Sequence, residues 1–211
     1  ATPGNKDFVD ELFYQSIIDT LNNTNYNNIN DRNINYVVTE DELKSVKTLF
    51  CGDIDNKIYD LKGLEKLINL ENFSVYYSDI YDIDISQNTK LKNIEIVNAN
   101  NIKHVDFSNN IELQSINLTY THLEELNVEN CPKLMYLVMG AGNTQNATIQ
   151  ELDLSNCNEL IYLSFGGNKL RNLDLSQNED LEYLCVTSGT LEEIILPENS
   201  QIETLSLYDN N

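Results

Sequence analysis

The sequence predicts a β-solenoid, an elongated stack of short coils, from three observations. The apolar pattern LxxLxL returns every ten or eleven residues from Leu70 onward. The last two apolar positions of each copy are two residues apart, which is the period of a β-strand, so both side chains face one side. Alternate copies differ in their outward residues, which pairs them into repeats of about 21 residues. The thirteen copies open at Leu70, Ile80, Leu91, Ile102, Leu113, Leu123, Leu134, Ile149, Leu160, Leu170, Leu181, Leu191 and Ile202.

A coil of this size cannot bury its apolar face alone, so neighbouring coils must stack to form a core. We therefore expect a right-handed, mostly β solenoid over residues 46–211, preceded by a small α-helical cap over residues 1–45. One set of copies is assigned to a parallel, concave sheet and the other to the convex wall. The concave set opens at Leu70, Leu91, Leu113, Leu134, Leu160, Leu181 and Ile202.

Two helix-start signals precede the repeats. Thr39 followed by Glu42 predicts a capping box. Asp7 is the expected N-cap of an earlier helix, whose apolar residues recur every fourth position. These residues are Val9, Phe13, Ile17 and Leu21, with Phe8 and Leu12 beside them.

A further column of residues falls eight positions after each opener of the convex set. Asparagine there can satisfy backbone groups of the neighbouring coil, so we expect a buried ladder. Cys131 and Cys157 take two successive rungs; a disulfide between them is the alternative to simple packing, because adjacent coils lie roughly 5 Å apart. Cys51 is expected in the core and Cys185 is expected to be exposed and reactive. The six rungs are Asn88, Asn110, Cys131, Cys157, Asn178 and Asn199.

Residues 160–170, LIYLSFGGNKL, match the signature LxxLxLxxNxL, so the chain resembles leucine-rich repeat proteins over nearly its whole length. The cap, followed by VKTL at 46–49 and DLKGLEKLINL at 60–70, resembles the internalin family of Gram-positive bacteria. The 21-residue repeat containing LDLS is similar to that of internalin J. That branch carries a cysteine at the third core position of each concave strand, whereas here only Cys51 agrees.

This resemblance implies a secreted or cell-wall-associated protein that binds a host-surface protein. No closing cap, immunoglobulin-like domain or sorting signal precedes Asn211, so we interpret the chain as a fragment of a longer protein.

The charge of the chain restricts its partners. Thirteen basic residues against 34 acidic ones give a net charge of −21, which counts against nucleic-acid binding and anionic membranes. The charge suits a basic partner or loosely held cations, or it only keeps the protein in solution. No apolar run approaches eighteen residues, so we expect no membrane insertion.

The strongest candidate binding site is a column of tyrosines. Tyr136, Tyr162 and Tyr183 occupy the same position in three successive concave coils, so they should form a stripe with a spacing of about 5 Å. Tyrosine is favoured at binding hot spots because it offers a large rigid surface with a polar tip. The alternative is that the ladder only stiffens the sheet. Further members of the predicted surface are Met135, Ile161, Tyr120 and Tyr208.

One step between successive copies of the repeat, next to this stripe, is longer than the others. The step from Leu134 to Ile149 is fifteen residues, and the surplus at 140–147 should leave the coil as a loop beside the tyrosines. Asn143 and Gln145 in this loop are added to the candidate partner-binding residues. A tolerated insertion without function is the equal alternative.

Catalytic chemistry finds no support in the sequence. Neither His104 nor His122 has a ligand-spaced companion or a nucleophile beside it, and no phosphate-binding glycine loop is found. We therefore predict no enzyme, no cofactor and no metal centre. Asp53, Asp55 and Asp60 resemble a calcium loop only weakly, and Ca²⁺ there is a minor alternative. The expected function is a non-catalytic protein-binding module, with a structural spacer or self-associating surface element as the alternative.

Overall fold

The computed structural model describes residues 7–22, 37–140, 149–187 and 189–210, and it has the predicted solenoid fold. The helices are α1 (Glu11–Leu21) and α2 (Glu40–Ser45), and Leu64–Lys66 form a 3-10 turn. The strands are β1 (Thr48–Cys51), β2 (Asn72–Tyr76), β3 (Asn93–Val97), β4 (His104–Asp106), β5 (Ser115–Thr119), β6 (Glu125–Asn127), β7 (Tyr136–Gly140), β8 (Tyr162–Gly166), β9 (Asn172–Asp174), β10 (Tyr183–Thr187), β11 (Glu193–Ile195) and β12 (Thr204–Ser206).

Eight parallel strands of the described residues form one sheet in the order β1-β2-β3-β5-β7-β8-β10-β12, which we call the concave sheet. The second half of each coil forms the convex wall, where β4 pairs with β6 and β9 pairs with β11. The assignment of the two sets of copies is therefore confirmed.

The N-terminal cap differs from the sequence prediction in where its first helix begins. Asp10, not Asp7, is the N-cap, because Asp10 Oδ1 accepts a hydrogen bond from the Leu12 amide at 2.8 Å. Asp10 Oδ2 accepts a second hydrogen bond from the Tyr59 amide at 2.6 Å. The same carboxylate thus joins α1 to the first coil, whereas Asp7 forms an ion pair with Lys66 at 3.0 Å.

The apolar face of the cap shifts accordingly. Val9 was expected on the buried helix face, but it lies before α1 and half of its surface is exposed. Phe13 and Ile17 are buried as predicted. Phe8 is also fully buried, and its ring lies against the backbone of Gly63, where a Cβ atom would overlap with the ring. Gly63 has a φ of 106°, so a larger residue there would be both strained and displaced.

The second helix begins as its sequence predicts. Thr39 Oγ1 accepts a hydrogen bond from the Glu42 amide at 3.3 Å, and the Thr39 amide donates to Glu42 Oε2 at 2.8 Å. This reciprocal pair is a complete capping box and leads the chain into β1.

The register of the concave sheet continues across the longer step between copies. β7 and β8 pair residue by residue from Tyr136 with Tyr162 to Gly140 with Gly166, so the surplus residues do not shift the core. Of the loop predicted at 140–147, Gly140 is the last residue of β7, and residues 141–147 lie outside the described residues. The inward positions of the concave strands remain buried in every described coil but the last, where Leu205 is 53% exposed because no described coil stacks on it.

A buried polar ladder connects the coils beneath the convex wall. Asn110 Nδ2 donates hydrogen bonds to the Ile85 carbonyl at 3.1 Å and to the Asn88 carbonyl at 2.9 Å. Cys131 takes the next rung, with its Sγ atom 3.6 Å from the Phe107 carbonyl oxygen. The prediction fails at the last rung, Asn199, whose side chain is exposed because the described part of the chain adds no coil over it.

All four cysteines are free thiols, so the disulfide alternative for Cys131 and Cys157 is not realised. Burial raises the pKa of each of these two thiols to about 12, and it raises the pKa of Cys51 further still. Cys185 was expected to be exposed; it is half-buried, since its strand β10 lies inside the sheet.

No helix in the described part of the chain is both long and apolar enough to span a bilayer.

Candidate functional site

The predicted tyrosine column is assembled by the concave sheet. Tyr136, Tyr162 and Tyr183 begin strands β7, β8 and β10, which are neighbours in the sheet. Tyr162 is the direct register partner of both other tyrosines. The leucine that follows each tyrosine is fully buried, so the strand alternation turns the three rings outward together. We call these three residues the tyrosine stripe.

Ring geometry makes the stripe continuous. The ring centroids of Tyr162 and Tyr183 are 4.2 Å apart with an interplanar angle of 5°, and those of Tyr136 and Tyr162 are 6.3 Å apart at 37°. Such stacked or tilted aromatic pairs contribute about 0.5–1.5 kcal/mol beyond burial. Tyr136 remains 43% exposed. A ligand on this face therefore meets ring edges, phenolic hydroxyls and the outer rings of the stack.

The environment of Tyr183 within the stripe favours its protonated, uncharged form. A hydrogen bond with the Tyr162 hydroxyl, with a smaller electrostatic contribution from the same group, raises the pKa of Tyr183 above its ordinary value. The Tyr183 hydroxyl therefore remains available as a hydrogen-bond donor and acceptor.

Apolar residues flank the stripe on one side. Met135 and Ile161 precede Tyr136 and Tyr162 and are half-buried. The amides of Ile161 and Tyr162 both donate to the Met135 carbonyl, at 2.9 Å and 3.0 Å, which fixes the approach of the two strands. At the far end of these strands Gly140 has a φ of 134°, and a Cβ atom on it would lie 2.8 Å from the Gly166 nitrogen.

The other predicted site residues are not part of this column. Tyr120 follows β5 in a left-handed conformation with a φ of 58°, and its amide donates to the Gly140 carbonyl at 2.7 Å. Tyr208 follows β12, and both side chains are exposed. Ring contacts found in the described residues do not join either of them to the stripe. Asn143 and Gln145 lie outside the described residues.

The acidic line of the convex wall has a local structural role. At each of its positions the Oδ1 atom accepts a hydrogen bond from the amide two residues later. Hydrogen bonds from a serine hydroxyl and then from this amide lower the pKa of Asp84, Asp153 and Asp174 below the ordinary value. The line comprises Asp84, Asp106, Asn127, Asp153 and Asp174.

Asp53 behaves in the same way. Its Oδ1 accepts hydrogen bonds from the amides of Asp55 and Asn56, both at 2.8 Å. Burial favours a higher pKa for Asp53, but hydrogen bonds from Asn56 and Asp55 together outweigh it and lower the value. Among the residues that the structure describes, no three His, Cys, Asp or Glu side chains are grouped to hold a metal ion.

Sequence reasoning missed two tyrosines on the convex wall. Tyr59 and Tyr81 are 62% and 75% exposed, respectively. Each follows a buried isoleucine, Ile58 or Ile80, so the two occupy equivalent positions in successive coils. Their spacing of 22 residues is the signal that could have identified them.

Comparison with known proteins finds solved structures with the same fold. No family model matches the chain, and no curated protein matches it. Solved structures do: the functional domain of InlJ from Listeria monocytogenes is 22% identical with a TM-score of 0.69 over 96% of this chain. Internalin C2 of the same species is 18% identical with a TM-score of 0.71 over 99% of this chain, and InlP is 18% identical with a TM-score of 0.65 over 96%.

These likenesses define the chain as a leucine-rich repeat solenoid. Its fold is that of Listeria internalins, which confirms the resemblance predicted from the sequence at the level of the fold. The chain spans 46% of the InlJ domain, 88% of internalin C2 and 58% of InlP. The InlJ domain includes a cysteine ladder, whereas the buried cysteines of this chain are Cys51, Cys131 and Cys157.

Proposed function

We propose that this chain is a non-catalytic protein-binding module that engages its partner through the tyrosine stripe. The observation that carries the proposal is the alignment of Tyr136, Tyr162 and Tyr183 on three neighbouring strands, with Met135 and Ile161 beside them. Aromatic and apolar side chains grouped on one exposed face mark an interaction surface in a protein of this type.

The likeness to internalins supports the biological setting of the proposal. We infer a secreted or cell-wall-associated protein of a Gram-positive bacterium whose partner is a protein on the surface of a host cell. The sequence and the fold similarity support this setting, and the net charge of −21 argues against nucleic acid as the partner.

The test measures binding of labelled protein to intact host-type cells. The variant Tyr136→Ala/Tyr162→Ala/Tyr183→Ala should bind at least about tenfold more weakly, because interface aromatics carry a large share of binding energy. The matched control is Asn72→Ala/Asn93→Ala/Ser115→Ala, which alters the same column in the other half of the sheet. Circular dichroism melts establish that each variant is folded.

Two outcomes would reject the proposal. If wild type does not bind, or if both triple variants bind as wild type does, the stripe is not a receptor site. The second candidate, a structural spacer in which the stacked rings only stiffen the sheet, then accounts for the tyrosines. The 4.2 Å stacking of Tyr162 on Tyr183 is the observation that favours this candidate.

A further inference from the structure

A cleft on the convex wall brings together the two exposed tyrosines that the tyrosine stripe does not include. Tyr59 and Tyr81 both line a concavity of about 590 Å³ near the N-terminal end of the solenoid. The same cleft is lined by four carboxylates and a single basic side chain. These residues are Asp60, Glu65, Asp82, Asp84 and Lys62.

The carboxylates of this cleft are held in place by the backbone. Asp60 Oδ1 accepts a hydrogen bond from the Lys62 amide at 2.7 Å, and Asp84 Oδ1 accepts one from the Ser86 amide at 3.0 Å. Asp82 Oδ1 likewise accepts from the Ile83 amide that follows it. The negative charge is thus fixed close to the tyrosine rings before any ligand arrives.

The chemistry of this pairing selects cations. The face of a tyrosine ring carries negative electrostatic potential and attracts the guanidinium of arginine or the ammonium of lysine. Carboxylates around the ring attract the same groups and repel anions. An exposed aromatic pair surrounded by carboxylates therefore fits a basic side chain better than an apolar one.

The cleft continues into a longer trough. Asp82 also lines a second concavity of about 1130 Å³, which shares Glu151 and Asp153 with a third of about 580 Å³. The second concavity is also lined by Val105 and Leu126, whose side chains are buried in the core. Basic side chains also belong to the lining: Lys169 lines the second and the third concavity, and Arg171 lines the third.

We infer that this trough is a second interaction surface, distinct from the tyrosine stripe, which binds an extended arginine- and lysine-rich segment of a partner protein. Tyr59 and Tyr81 hold one basic side chain of that segment between the coils. The remaining basic groups lie along the carboxylates of the second concavity.

The first test uses a fluorescein-labelled arginine–serine repeat peptide and a glutamine–serine peptide of the same length as the neutral control. Fluorescence anisotropy is measured at about 0.15 M salt, where surface charges are screened beyond roughly 8 Å. Wild type should bind the arginine peptide and not the glutamine peptide. Tyr59→Ala/Tyr81→Ala should weaken binding roughly fivefold to tenfold with no change in net charge.

The control variants distinguish binding at the trough from non-specific attraction to the acidic surface and from binding at the tyrosine stripe. Tyr136→Ala/Tyr162→Ala should leave peptide binding unchanged, even if it abolishes cell binding. Glu125→Gln/Glu151→Gln in the trough should weaken binding more than Glu182→Gln/Glu203→Gln, which removes the same charge from the residues that directly precede β10 and β12.

The inference would be overturned if both glutamine pairs weakened peptide binding equally, or if the Tyr59/Tyr81 variant bound the peptide as wild type does. Peptide binding would then reflect only non-specific attraction to an acidic protein. A lysine–serine peptide joined to wild type by a zero-length carbodiimide cross-linker locates the site independently. Cross-links should fall on the carboxylates that line the trough, and cross-links spread evenly over both faces would contradict the assignment.

Discussion

The two halves of the concave sheet share one backbone arrangement and one register but differ in what their outward side chains contact. In the N-terminal half, Asn93 Nδ2 donates to Asn72 Oδ1 at 2.7 Å, and Ser74 Oγ donates to Glu95 Oε2 at 3.0 Å. In the C-terminal half, the column that contains Asn72 and Asn93 holds the stacked rings of the tyrosine stripe. One column is thus a polar network in one half and an aromatic surface in the other.

A second column repeats the contrast. Glu71 forms ion pairs with Lys47 at 3.3 Å and with Lys92 at 2.7 Å, which joins the first three strands of the sheet. Met135 and Ile161 occupy the same column further along. Because the inward apolar residues and the buried ladder specify the stacking, outward positions can differ from coil to coil without a change of fold.

The first prediction tests whether the N-terminal half is mainly structural. Glu95 accepts hydrogen bonds from Ser74 and from the Tyr76 hydroxyl, so Glu95→Ala removes two charge-assisted bonds at once. We expect the free energy of unfolding to fall by about 1–2 kcal/mol in urea titrations. Binding to cells should be unchanged.

Glu203→Ala, which removes an exposed glutamate from the coil of β12, is the control and should change stability by less than about 0.5 kcal/mol. A stable Glu95→Ala protein that fails to bind cells would place the binding surface in the N-terminal half and reverse the comparison.

The second prediction measures what the stack contributes to the C-terminal half. A double-mutant cycle on Tyr162→Ala and Tyr183→Ala should give a coupling of about 0.5–1.5 kcal/mol in unfolding free energy. The pair Tyr136 and Tyr183, separated by one strand, is the control and should show little coupling. Strong coupling with unchanged cell binding would favour the spacer, whereas lost binding with weak coupling would favour the receptor site.

The sequence predicts the solenoid and the tyrosine stripe well because both follow from periodicity. Once Leu137, Leu163 and Leu184 are recognised as inward residues, the tyrosine before each of them must point outward in the same register. Local capping signals can also be recognised in the sequence, as the Thr39 capping box demonstrates.

Features that depend on a distant partner could not be predicted. The hydrogen bond from the Tyr59 amide to Asp10 Oδ2 spans 49 residues, so no local signal in the sequence reports that this carboxylate also joins α1 to the first coil. Asn199 follows the ladder pattern, but no coil of the described residues stacks over it, so periodicity alone predicts a burial that the described structure does not show. The trough was missed because its walls come from several coils, each of which is unremarkable as sequence.

The third prediction, with the smallest expected effect, concerns the ion pairs of Glu71 in the second column. Hydrogen bonds from Lys92 and then Lys47, with smaller charge effects from both, lower the pKa of Glu71 below its ordinary value. A carboxylate with a lowered pKa stabilises the folded state fully above its unfolded pKa of about 4.3, and loses this contribution as the pH falls through the folded pKa.

The melting temperature of wild type should therefore exceed that of Glu71→Gln at pH 7, and the difference should narrow below about pH 4. Because Glu71 is at the surface, about 1 M salt should reduce the difference at pH 7 as well. A difference that persists at pH 3 or in high salt would show that Glu71 acts through packing rather than charge. Glu71 would then stabilise the sheet by packing, as Met135 and Ile161 do in the same column of the C-terminal half. The two halves of the sheet would in that case differ only in the column that contains Asn72.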